Sequence, residues 1–388
     1  MDVPATREKM GFVLHINEKK GLTGGNTCAI IETTTSNNDN RQEIPNMSPQ
    51  TYNITEYAAC QDAASRPLDE VKWTEKKARN ELLSEAYLYL AEVRQPAWSD
   101  YWRRRYEACS CCGTFLTFAV DPDGTRRLQS MISCKDRLCA LCTWRRSLKT
   151  YGNVKAITDY IAAHPETEGK CAYLLLTLTV RNCPRDELQH TVNECFVGLK
   201  RMINQRPFKA AAHGFFRAFE ITHNVAQDTF HPHFHMIIAV RPSYFKGKKY
   251  IRQDEFARLW RMSCRLDYNP VCDVRRVRDL SGAAAEISKY TVKDSDMIDV
   301  DDWDLTAETV AAVHDALKGR RLIAYGGRFK QLHRQLNLDD DEDGDLIHVG
   351  DDALPASPEA WEVTYMWHSG YRQYIPIEKR KRQEVIDV

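Results

Sequence analysis

Apolar and polar positions alternate in distinct regimes along the chain. Residues 1–65 are polar and rich in Asn, Thr and Gly, as in ETTTSNNDNRQE, and carry no sustained periodicity. A disordered segment is expected there. From Leu68 to Val93 the spacing becomes helical, with Val71, Leu82, Ala86, Leu90 and Val93 as apolar positions and Pro96 as the stop. Asp121-Pro122-Asp123-Gly124 predicts a hairpin turn. Helical spacing over Thr143–Ala163 is followed by CAYLLLTLTV, which has the length and apolar density of a buried strand. FFRAFEITHN and HFHMIIAV predict two more strands, joined by the polar loop Val225–Phe230. Helices are expected over 186–204, Gln253–Cys264, Gly282–Lys293 and Thr306–Lys318, with an acidic loop at 294–304.

Strands interleaved with helices, without an internal repeat, predict an α+β domain built on an antiparallel sheet with flanking helices. The expected divisions are a disordered segment over 1–65, a helical, cysteine-rich DNA-binding region over 66–165, a catalytic domain over 166–338, and an acidic then basic tail over 339–388.

Composition narrows the classes. The chain has 388 residues, 43% of them hydrophobic, with no apolar run of membrane-spanning length and no apolar core of a secretory signal near its start. A cytoplasmic protein, off the membrane, is expected. The formal charge is zero, yet cations gather in Cys134–Lys149, Lys200–Arg217 and Lys246–Arg278, and acids in Asp294–Asp304 and Asp339–Asp345. Such segregation fits either a DNA-facing basic surface beside acidic flanks or solvated faces of both signs.

Three constellations carry candidate chemistry. His233 and His235, two residues apart on one strand, emerge on the same side, while Phe234, Met236, Ile238 and Val240 form the other. His231 shares their parity. Glu220, an acid in an apolar strand, comes near the histidines if the two strands pair as a hairpin. Two imidazoles and a carboxylate suit a divalent metal such as Mg²⁺ or Mn²⁺; the plainer alternative is a solvated sheet face. On the helix GAAAEISKYTVK, Glu286, Tyr290 and Lys293 stand at i, i+4 and i+7 on one stripe, the pattern of an activated tyrosine nucleophile or of an ordinary amphipathic helix.

The third constellation is cysteine-rich. Six of the thirteen cysteines lie between Cys109 and Cys142, and the pairs Cys109/Cys112 and Cys139/Cys142 are spaced as two zinc knuckles, with Cys111 and Cys134 as substitutes. The alternative is a set of reduced, buried thiols. Arg145, Arg146 and Lys149 follow at once on a helix and are the expected DNA-contacting cations.

Taken in order, LLLTLTVRN, FEITHN, HPHFHMIIAV and EISKYTVK resemble the motif series of the HUH endonucleases, and most closely the rolling-circle replication initiators of small bacterial plasmids. The first motif corresponds to Thr177-Leu178-Thr179 through Asn182, the second to His231–His235, the third to Glu286, Tyr290 and Lys293. CKDRLCALCTWRRSLK is similar to the cysteine-rich stretch of this branch, departing from it at Ala140, where Pro is usual. The resemblance covers roughly Cys109–Leu338. It implies a metal on His233, His235 and Glu220 and attack by Tyr290 on a DNA phosphate, leaving a 5′-phosphotyrosine and a free 3′-OH. It also implies a base role for Glu286 in the terminating cut, origin DNA as substrate, and a host helicase and polymerase as partners. The competing readings are an HUH-type transposase and a non-catalytic, zinc-dependent DNA-binding regulator.

Overall fold

The computed structural model describes residues 68, 71–288 and 297–382. The segment 1–65, Tyr290 and Lys293 lie outside the described residues.

Two antiparallel sheets organise these residues. The first has the order β10-β9-β1-β2, with β1 Phe115–Val120, β2 Arg126–Met131, β9 Trp361–His368 and β10 Gln373–Lys381. β1 and β2 form the hairpin expected at Asp121–Gly124, closed by Asp121 N–H on Thr125 O (2.9 Å) and Gly124 N–H on Asp121 O (2.9 Å), with Gly124 at φ 88°. The second sheet has the order β7-β3-β6-β5-β8: β3 Ala172–Thr179, β5 Ala212–Asn224, β6 Thr229–Val240, β7 Cys272–Arg276 and β8 Ile323–Gly327. The two-residue strand β4, Cys183–Pro184, pairs with the start of β6.

Eight longer helices complete the described chain: α1 Val71–Tyr89, α2 Ser99–Cys111, α3 Ala140–Ala163, α4 Leu188–Ile203, α5 Gln253–Cys264, α6 Leu280–Ser288, α7 Trp303–Leu317 and α8 Arg328–Gln335. α1 ends in a π-type turn over Leu90–Arg94, just before the helix-breaking Pro96. No helix among the described residues is long and apolar enough to cross a membrane. The mixed α+β class with antiparallel sheets and flanking helices is the one expected.

Period-two alternation in β6 builds two cores on the two faces of the second sheet. Phe234, Met236, Ile238 and Val240 join Leu174, Leu176, Leu178, Phe219 and Ile221 under α4, α5 and α7. Ile237 and Ala239 point the other way, joining Leu175, Phe216 and Ala218 under α3, α6 and α8 through Val154, Ile157, Ala283, Ala284, Ile287 and Leu332. His233 and His235 continue this second face beyond its apolar half.

Two expectations need correction. Residues 339–382 are not a tail. β9 pairs with the whole length of β1 and β10 with β9, so the hairpin is sealed by a segment more than two hundred residues further on. The alternation in WEVTYMWH, with Val363, Tyr365 and Trp367 buried, is the signal that marks β9. Pro376 is tolerated because β10 is an edge strand with a register shift at that point.

The second correction concerns Arg145, Arg146 and Lys149, which are buried and face the acidic segment rather than solvent. Arg145, 1% exposed, donates to Leu346 O (2.8 Å) and Ile347 O (2.5 Å) and pairs with Asp352 at 2.7 Å. Arg146 donates to Glu342 O (3.2 Å) and Asp136 O (3.0 Å), and Lys149 to Asp345 O (2.6 Å) and to Asp339. Asp352 in turn accepts from Leu128 N–H at 2.7 Å on β2. The cations are spent inside the protein, where a buried charge requires a partner.

Arg145→Ala should therefore destabilise the protein by about 3 kcal/mol, the usual cost of orphaning a buried partner. Urea unfolding checks this: a change within about 0.5 kcal/mol, typical of an exposed cation, would contradict the buried clamp.

Candidate metal centres and family membership

The hairpin β5–β6 positions the first centre. A 3₁₀ turn at Val225–Gln227, followed by Asp228 in the left-handed region (φ 45°), reverses the chain. Arg185 and His223 both donate to the Asp228 carboxylate, at 2.7 and 2.9 Å. This turn sets a register in which Glu220 lies directly opposite His233 and Ala218 opposite His235. On the other side of β6, Thr179 faces His233 and Thr177 faces His235.

The three side chains converge. Glu220 Oε2 lies 3.3 Å from Nε2 of His233 and 3.3 Å from Nε2 of His235. His233 Nδ1 lies 2.9 Å from the carbonyl oxygen of His231, an acceptor only, so Nδ1 carries a proton and Nε2 is the ring atom turned to Glu220. Burial opposes ionisation of Glu220, but the hydrogen bonds and charge of His233 and His235 outweigh it and hold its carboxyl at about 2. A carboxylate oxygen and two imidazole Nε2 atoms thus point at one place, and once the Nε2 atoms are free of protons this is a donor set that could hold a divalent cation. His231 shares their face but is not one of the three; its Nδ1 lies 2.7 Å from Asn182 Oδ1.

α6 packs on the same sheet face through Ala283, Ala284 and Ile287. Glu286 is exposed on this helix, its Oε1 4.0 Å from Nη2 of Arg275 on β7. The described helix ends at Ser288, two residues before Tyr290.

The second centre lies between α1, α2, the β1–β2 hairpin and the start of α3. Four sulfurs gather there: Cys112 Sγ lies 3.6 Å from Cys139 Sγ and 3.6 Å from Cys142 Sγ, and Cys134 Sγ 3.7 Å from Cys142 Sγ. Four thiolates about 2.3 Å from a tetrahedral zinc stand roughly 3.8 Å apart, so the spacing fits that ion. Burial opposes ionisation of Cys139, yet the thiols packed around its sulfur bring it down to about 6. Lys77, 1% exposed, donates to Ser110 O and Cys112 O, both at 2.8 Å, and places a cation beside the sulfurs.

Cys134 takes the place expected for Cys109. Cys109 Sγ donates to Asn80 Oδ1 at 2.9 Å, while Asn80 Nδ2 donates back to Cys109 O at 2.7 Å. Burial pushes the Cys109 thiol well above its ordinary range, so it remains a protonated donor. The lone spacing of Cys134, five residues before Cys139, does not read as a knuckle, and only the approach of the 132–138 loop to α3 reveals it.

An antiparallel sheet that brings two histidines and a carboxylate to one point, in a chain that also gathers four cysteines, defines a protein with two groups of side chains that could each hold a metal ion. A family model described as "Replication protein" matches residues 125–375, from β2 into β10. A "Protein rep" of Bacillus amyloliquefaciens is 38% identical over 325 residues, 78% of this chain and 93% of the relative. A "Protein rep" of Bacillus sp is 39% identical over 273 residues, 65% of this chain and 87% of the relative, and one of Streptococcus pneumoniae 34% identical over 276 residues, 69% and 83%. No solved structure matches the chain. The chain belongs to the replication-protein family, that of plasmid Rep initiators, and the HUH resemblance is consistent with this.

Zinc analysis of the purified chain should separate the two cysteines. Cys134→Ser should lose most of the bound zinc and Cys109→Ser retain it; the opposite ranking would restore the ligand set expected from spacing.

Proposed function

We propose that this protein starts rolling-circle replication of a plasmid by binding its double-strand origin and nicking one strand through Tyr290. The observation carrying this reading is the convergence of His233, His235 and Glu220 on the sheet face that also seats α6, the helix leading toward Tyr290. Family membership supports the role of initiator.

The centre formed by His233, His235 and Glu220 holds a divalent cation, Mg²⁺ or Mn²⁺, which when bound supplies Lewis-acid polarisation of the scissile phosphate. The phenol oxygen of Tyr290 bonds to that phosphorus and its proton passes to solvent. The bond from phosphorus to the 3′ oxygen breaks, and that oxygen takes up a proton. The products are a 5′-phosphotyrosine and a 3′-OH that a host polymerase extends while a host helicase unwinds the duplex. The bond count is conserved, so the strand can be rejoined without a nucleotide cofactor. A phenol with an ordinary pKa of about 10 needs help to react near neutral pH, and Lys293, three residues on, supplies positive charge to the phenolate or the phosphate.

Glu286 lies four residues before Tyr290 in the sequence and is exposed to solvent. It serves as general base for water in the terminating cut, after one tyrosine has already been used. The four sulfurs of Cys112, Cys134, Cys139 and Cys142 hold a structural zinc that fixes the first sheet against α1–α3.

A nicking assay on supercoiled and single-stranded origin DNA tests the reaction, with Mg²⁺ or Mn²⁺ and then with EDTA. Wild type should form a denaturation-resistant adduct only with metal, and Tyr290→Phe should form none while still binding DNA. An adduct from the Phe variant would remove Tyr290 as nucleophile. For Glu286→Gln the first nick should proceed and termination slow by about 10²-fold or more, the ordinary worth of a general base. An unchanged termination rate would assign the base elsewhere.

A further inference from the structure

The first sequence motif, Thr177 through Asn182, has no part in the chemistry described so far. None of its residues belongs to either candidate centre. Its side chains nevertheless touch the histidines. Thr177 Oγ1 lies 3.1 Å from Nδ1 of His235, across the β3–β6 pairing in which the two residues are direct partners. Asn182 Oδ1 lies 2.7 Å from Nδ1 of His231, and Asn182 Nδ2 donates to Thr229 Oγ1 at 3.2 Å, which fixes the amide orientation. The carbonyl of His231 in turn accepts from His233 Nδ1 at 2.9 Å.

We propose that Thr177 and Asn182 are positioning residues for the metal centre, Thr177 holding His235 directly and Asn182 holding His233 through the backbone of His231. The inference rests on the metal-centre reading above.

The physical argument is one of tautomer and orientation. A neutral imidazole has one N–H and one lone pair, and whatever Nδ1 donates to decides that Nε2 is the ligand atom. For His233 that acceptor is a backbone carbonyl, independent of side-chain identity. For His235 the partner is the Thr177 hydroxyl, which as acceptor leaves Nε2 to the metal, so here a side chain sets which nitrogen is the ligand. The same bond stops rotation of the ring about its Cβ–Cγ axis and makes Nε2 a stronger base. Thr177 is half-buried between His235 on β6 and Asp273, its register partner on β7, so its rotamer is confined from both sides. Asn182 is exposed and acts at one remove, so its effect is the smaller of the two. Outer partners of metal-bound histidines characteristically contribute roughly 10- to 100-fold in affinity.

Calorimetric titration of the full chain with Mn²⁺ alone, without DNA, reads the effect separately from nicking. Thr177→Val keeps the shape and removes the hydroxyl, and should weaken Mn²⁺ binding about 10-fold or more. Thr177→Ser restores the acceptor and should bind within about threefold of wild type. Asn182→Ala, an exposed change that leaves the core untouched, should weaken binding by a smaller factor. Thermal unfolding in EDTA should be alike for wild type, Thr177→Ser and Asn182→Ala, showing that the loss lies in the centre and not in the fold.

Wild-type affinity in both Thr177→Val and Asn182→Ala would overturn this inference while leaving the metal-centre reading in place. Equal losses in Thr177→Val and Thr177→Ser would also overturn it, because the hydroxyl would then not be the cause. Failure of wild type itself to bind Mn²⁺ would overturn the metal-centre reading and this inference with it. Should Thr177→Val not fold, the Asn182→Ala and Thr177→Ser titrations decide the matter by the same criteria.

Discussion

The pairing of β5 with β6 is the constraint on which the rest depends. Side chains alternate between faces with a period of two, so the register that sets Glu220 opposite His233 also sends Phe219, Ile221, Phe234 and Met236 into the opposite core. A slip of one residue would carry the histidines into the apolar core and the phenylalanines into the polar site. Correct burial on one face and convergence of donors on the other are therefore one event. The turn at Asp228, held by Arg185 and His223, selects the register locally, and apolar burial enforces it over the length of the hairpin. Placing candidate metal ligands on adjacent, fully paired strands gives them the rigidity such a centre requires.

The first sheet shows a different kind of dependence. The β1–β2 hairpin alone has too little surface to be stable in water. It is completed by β9 and β10, more than two hundred residues later, and by the acidic segment that α3 grips through Arg145, Arg146 and Lys149. The cysteine centre sits where α1, α2, the hairpin and α3 meet. A zinc ion there would join elements already tied by the Lys77 and Asn80 hydrogen bonds to the Cys109–Cys112 turn. The family match, running from residue 125 to residue 375, covers the whole second sheet and, of the first, β2, β9 and the start of β10. The two ends of the matched region lie in one sheet, at its opposite edges.

Charge segregation reads differently in this light. The basic run after Cys142 and the acidic run after Leu338 satisfy each other inside the protein. Clustered cations next to a cysteine knuckle have the pattern of a phosphate-binding helix, but charge complementarity between two distant segments explains them without any ligand. The exposed cations lie elsewhere, among them Lys246, Lys248, Lys249, Arg276 and Arg278.

What the sequence determined by itself is local and periodic. Strands over 171–180, 215–224 and 233–240, the helix over 253–264 and the hairpin turn at Gly124 follow from alternation, helical spacing and turn chemistry, and the structure lengthens the second and third strands to 212–224 and 229–240. The common face of His233 and His235 follows from the pleat. Motif order was enough to point to the family. Tertiary structure decided what depends on segments far apart in the chain. Cys134 displaces Cys109 because a loop closes on α3, a matter of three-dimensional approach that spacing does not encode. Arg145 is buried because residues 339–352 fold over it. β9 and β10 are strands because β1 offers an open edge, and their pairing energy exists only once the chain has returned. Thr177 meets His235 because antiparallel register, not sequence distance, makes residues 58 positions apart direct neighbours.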